Sequence, residues 1–71
     1  MATEIQAHIT GTIWKIEVQV GDAIKAGQTV AILESMKMEL PLESEVSGTV
    51  AQVLVVEGES VQEGQALVVV Q

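Results

Sequence analysis

Few side chains in this sequence could take part in chemistry. There is no cysteine, one histidine, and three lysines against ten acids. The residue in the most unusual setting is Lys37, held between two methionines in Glu34-Ser35-Met36-Lys37-Met38-Glu39. A lysine amine is a nucleophile once its proton is removed, and its natural reaction is to accept an acyl group. No base and orienting partner can be assembled around it from the sequence, so another protein is expected to deprotonate and acylate it. No residue is expected to be catalytic, and the chain is not expected to be an enzyme in its own right. No metal site is expected either, because thiolates are absent and His8 stands alone.

The remaining charged residues point to surface roles. Lys15 and Lys25 read as solvated charges, and Glu57, Glu59 and Glu63 as a solvated acidic face. His8 reads as a strand-end residue. Glycine-rich turns could cradle phosphate, but here they open no helix. The net charge of −7 supplies no basic stripe for a nucleic acid and disfavours an acidic membrane leaflet. No apolar stretch reaches the roughly 20 residues that a membrane-spanning helix needs, and the start lacks the basic-then-apolar order of a signal peptide. Expected partners are therefore proteins, and the expected location is the cytoplasm.

What positions Lys37 is written in a repeat. Shifted by 37 positions, Gly11–Glu34 lies on Gly48–Gln71 without a gap. Gly11, Thr12, Val18, Gly21, Gly27 and Gln28 recur as Gly48, Thr49, Val55, Gly58, Gly64 and Gln65. Such self-similarity marks one supersecondary unit used twice. Each copy is dense in Val, Ile and Thr and partly alternating, with Trp14, Ile16, Val18 and Val20 on one face against Lys15, Glu17 and Gln19. Strands are expected at 3–8, 12–19, 29–34, 38–43, 49–56 and 66–70, with short extended pieces near 23–25 and 60–62. Gly21, Gly27, Gly58 and Gly64 read as turn residues with positive φ. The whole chain, 1–71, is expected to form one domain with halves at 5–34 and 42–71. Neither half can hide its apolar face alone, so the two must pack together as a sandwich or flattened barrel. Trp14 matches Ala51 and is expected to pack asymmetrically.

Between the copies lies only 35–41, which has no counterpart. If it is a tight hairpin, the end of one copy lies beside the start of the other, and by the two-fold the chain termini are neighbours. A two-residue loop of Met36 and Lys37 would set Ser35 opposite Met38, Glu34 opposite Glu39 and Leu33 opposite Leu40. Met and Lys are poor choices for such a loop, which favours Asn-Gly or Asp-Gly, and facing glutamates repel. A break in local rules at one exposed place suggests function. Exposed, Met36 and Met38 would form an apolar collar around the amine.

The Met-Lys-Met hairpin, the Val-Gly-Asp and Ala-Gly-Gln turns, and the second Gly-Thr-Val followed by Glu-Gly together resemble the biotinyl/lipoyl attachment family over essentially the whole chain. The small free-standing attachment proteins are the most similar group. That resemblance implies an all-β flattened barrel or sandwich of two four-stranded antiparallel sheets with a pseudo-two-fold repeat. It implies covalent biotin on Lys37, flanked by Met36 and Met38, added by a biotin protein ligase. The biotin arm would carry a carboxyl group between biotin carboxylase and carboxyl transferase components, with the carrier monomeric when free. Lipoate on the same lysine, added by a lipoyl ligase, is the alternative, although lipoyl hairpins more often read Asp-Lys-Ala. An unmodified adaptor is the third reading. Ser35 replaces a common alanine, the Ala-Pro-Met-x-Gly lead-in is here Ala7-His8-Ile9-Thr10-Gly11, and no thumb loop or Pro/Ala-rich linker is present.

Overall fold

A computed structural model describes residues 2–71; Met1, the first residue of the expected domain, lies outside the described residues. Eight strands follow in order: β1 (Thr3–Gln6), β2 (Gly11–Ile16), β3 (Ala23–Ile24), β4 (Thr29–Ser35), β5 (Met38–Glu43), β6 (Gly48–Val53), β7 (Ser60–Val61) and β8 (Ala66–Val70). A strand lies at every expected position and at both short extended pieces, but those expected at 3–8, 12–19 and 49–56 end early, at Gln6, Ile16 and Val53. No helix occurs among the described residues. The two sheets have orders β1-β8-β6-β3 and β5-β4-β2-β7, with all pairs antiparallel.

These orders differ in one respect from two halves stacked face to face. Shifting each strand by one copy turns β1-β8-β6-β3 into β5-β4-β2-β7, so each sheet takes two strands from each half. The halves are interleaved. Ladder hydrogen bonds as well as apolar packing therefore cross between the copies, and neither half has a complete sheet of its own.

Backbone bonds repeat with the sequence. Gly21 N–H donates to the Val50 carbonyl at 2.8 Å, and its equivalent Gly58 donates to Ile13 at 2.7 Å. Ala26 N–H donates to Ser47 Oγ, and Glu63 N–H to Thr10 Oγ1, each at 3.1 Å. The four turn glycines have φ between 89° and 95°, as expected from the duplicated turns. Gly11 and Gly48 recur for a different reason. A Cβ on Gly11 would lie 2.6 Å from the Glu34 carbonyl oxygen, and one on Gly48 would lie 2.5 Å from that of Gln71. Close backbone approach, not turn geometry, requires glycine there.

One continuous core includes Ile13, Val30, Leu33, Val50, Leu67 and Val68, each almost fully buried. The expected apolar face of β2 needs correction. Ile13 is buried, whereas Trp14 is 47% and Val20 65% exposed. A bulge between Ile13 and Lys15 breaks the period of two, and β2 ends at Ile16 as the chain leaves for the opposite sheet. Trp14 is consequently a half-exposed surface residue and does not fill the core. The expected neighbouring termini are observed, with Thr3 opposite Val70.

Candidate functional site

The β4–β5 hairpin is built on a central strand. β4 pairs with β2 on one side and β5 on the other, and it buries Val30, Ala31 and Leu33. Its register with β5 sets Leu33 opposite Leu40, Glu34 opposite Glu39 and Ser35 opposite Met38, as expected. Only Met36 and Lys37 remain for the loop.

Both loop residues are left-handed, with φ of 53° for Met36 and 62° for Lys37. Among the described residues no other non-glycine has positive φ. Two consecutive positive φ values define the primed turn whose twist suits a two-residue hairpin. A side chain in this region costs about 1 kcal/mol or more per residue. The ladders on both sides of β4 hold the turn in place. Gly11 contributes at the base, because only a residue without a Cβ lets β2 run against the Glu34 carbonyl. The repeat had marked Gly11 in the sequence, but its role became legible only from the strand packing.

Side chains at the tip face solvent. Met36 is 91% and Met38 56% exposed, and Lys37 is exposed between them. Both methionines are therefore at the surface on either side of Lys37 in the chain, and neither belongs to the core. Glu34 and Glu39 are both exposed and directly opposed, so two carboxylates flank the base of the turn. An amine at such a tip can reach into another protein's active site with little obstruction from its own domain. Other residues singled out in the sequence are not gathered here. Lys15 lies in β2 and Lys25 in the turn after β3. No group of three His, Cys, Asp or Glu residues able to hold a metal ion occurs among the described residues.

Comparison with known proteins agrees with this geometry. Residues 1–70 match the family described as "Biotin-requiring enzyme". The Biotin/lipoyl attachment protein of Bacillus subtilis (strain 168) is 49% identical over 41 residues, covering 58% of this chain and 56% of that protein. The Methylmalonyl-CoA carboxyltransferase 1.3S subunit of Propionibacterium freudenreichii subsp. shermanii is 61% identical over 36 residues, 51% of this chain and 29% of the subunit. The alignments thus span about half or less of these relatives. The crystal structure of Kluyveromyces lactis urea carboxylase superposes on all of this chain with a TM-score of 0.93 and 34% identity, using 6% of the larger protein. The chain belongs to the biotinyl/lipoyl attachment family, as a biotin carboxyl carrier-like domain.

Proposed function

We propose that Lys37 is the covalent attachment site for biotin and that this domain carries the group between partner active sites. The observation that carries the reading is the primed turn, which places a lysine with exposed methionine flanks at the tip of a braced hairpin. These residues suit the group. An amide to the Lys37 amine needs a free nucleophile and room around it, and the tip supplies both. When bound, biotin supplies a ureido nitrogen that can hold a carboxyl group.

The chain contributes position. Its sheets fix where the amine emerges, the ladders of β4 keep the base still, and Met36 and Met38 offer an apolar contact to whatever encloses Lys37. Tethering then raises the local concentration of the carried group at each partner site. The proposed partners are a biotin protein ligase, a biotin carboxylase and a carboxyl transferase, in the cytoplasm, with the carrier itself monomeric and noncatalytic. The urea carboxylase and carboxyltransferase relatives support partners of this kind. Lipoate on the same lysine is the second reading, favoured by the name of the Bacillus relative.

Intact mass after incubation with ATP, biotin and a biotin ligase tests the proposal. One biotinyl group per chain is expected, lost in Lys37→Gln with no change of fold. Label persisting on Lys15 or Lys25 in that variant would overturn the assignment of Lys37. Lipoyl mass on protein from the native source would favour the second reading.

A further inference from the structure

Strands β1 and β5 each end a sheet, and a groove of about 300 Å3 lies between them. They are equivalents under the two-fold, with Ile5 matching Leu42. Both of these side chains line the groove, each only 7% exposed. Glu4, Glu43 and Glu45 line it too, and no lysine does.

The backbone directions at these edges follow from the bonds just beyond them. Ala7 N–H donates to the Gln65 carbonyl at 2.9 Å, and its own carbonyl accepts from Gly64 N–H at 2.9 Å. Ser44 does the same with Gln28 and Gly27, at 2.8 and 2.7 Å. Backbone groups alternate in direction along a strand, and the bulges on these ladders insert their extra residue in β8 and β4, not in β1 or β5. Counting back from Ala7, Thr3 and Ile5 face β8, while Glu4 and Gln6 direct their N–H and C=O outward. From Ser44, Leu40 and Leu42 face β4, while Pro41 and Glu43 face outward.

Glu4 and Pro41 are therefore the same position in the two copies, with opposite consequences. Pro41 has no N–H, which blunts the outer edge of β5 against another strand. Glu4 leaves the matching donor on β1 open. We propose that the β1 edge takes up an extended, lysine- or arginine-rich segment of a partner protein as an added strand. Its backbone pairs with Glu4 and Gln6, and its cations lie beside Glu4, Glu43 and Glu45. A second copy of this chain is a poor occupant, since it would bring like charge against like at a net −7 per chain. Modification of Lys37 is not required for this docking.

The probe is a capped synthetic peptide of alternating lysine and valine, titrated into the whole protein at low and high salt. Amide shifts should concentrate on β1 and the groove, and exchange of the Glu4 and Gln6 amides should slow. Glu4→Pro should fold, because Pro41 already occupies the equivalent site, and should bind about tenfold more weakly. Glu4→Gln, which keeps the N–H, should lose only about two- to threefold. Glu43→Lys with Glu45→Lys changes exposed residues only and should weaken binding by about tenfold or more, whatever Glu4→Pro does to folding. Shifts spread evenly over the acidic surface, or parental affinity in a folded Glu4→Pro, would overturn the proposal. So would a peptide-free dimer that protects the Glu4 amide.

Discussion

Gly11 offers the sharpest perturbation of the hairpin, because the repeat provides its own control. A methyl at position 11 would stand 2.6 Å from the Glu34 carbonyl oxygen and 3.5 Å from Ser35 Cβ. A carbon–oxygen contact settles near about 3.3 Å, so β2 and β4 must separate by roughly 0.7 Å at the hairpin base. Overpacking of this kind costs about 1–3 kcal/mol, and each kcal/mol lowers Tm by roughly 4–8 °C in a domain of this size. The displaced segment leads directly to Lys37, and a shift approaching 1 Å at a reacting group costs up to about 100-fold in rate. Gly11→Ala is therefore expected to lower the ligase kcat/KM about tenfold or more, measured well below its Tm. Gly48→Ala creates the equivalent clash with Gln71 O and also meets Val70 Cγ1 at 2.7 Å, but beside the chain termini. It should destabilise at least as much and leave acylation close to parental. Initial rates by intact mass, paired with melting curves, provide the comparison. Parental labelling of Gly11→Ala, or equal loss in both variants, would refute the view that Gly11 positions the hairpin.

Two further outcomes follow from the tip. Replacing Met36-Lys37 by Asn-Gly puts the preferred residues into the same turn, so stability should rise by about 1–2 kcal/mol as acylation disappears; denaturant unfolding checks this, and a lower midpoint would contradict strain at the tip. Met36→Asp with Met38→Ala should keep an acylatable lysine while shifting preference toward lipoylation in competition between both ligases. With these side chains 91% and 56% exposed, Tm should move little, and a large drop would mean that the methionines support the fold.

Most of the architecture was legible in the sequence because duplication made it redundant. Two copies of the same turn glycines and valine-rich runs located every strand, and the unmatched link of 35–41 isolated the hairpin. The register around Met36 and Lys37 followed from loop length alone, since two residues leave one way to pair Ser35 with Met38. Lys37 as the reactive candidate likewise needed only its neighbours.

Other features depend on contacts between segments distant in the chain, and the linear pattern does not carry them. Interleaving of the two halves is one such feature: alternation shows that a strand has an apolar face, but not which strand it pairs with. The bulge in β2 is another. Trp14 is its extra residue, left unpaired opposite β4, so a half-exposed tryptophan was grouped by alternation with the apolar face of Ile16 and Val18. Gly11 and Gly21 are the same letter, yet one is glycine for a backbone oxygen 2.6 Å from its missing Cβ and the other for its φ of 95°. The outward direction of Glu4 and Pro41 is set by which neighbour each strand already has. Local chemistry determines turns and periods; pairing, phase and close approach are decided when the chain folds back on itself.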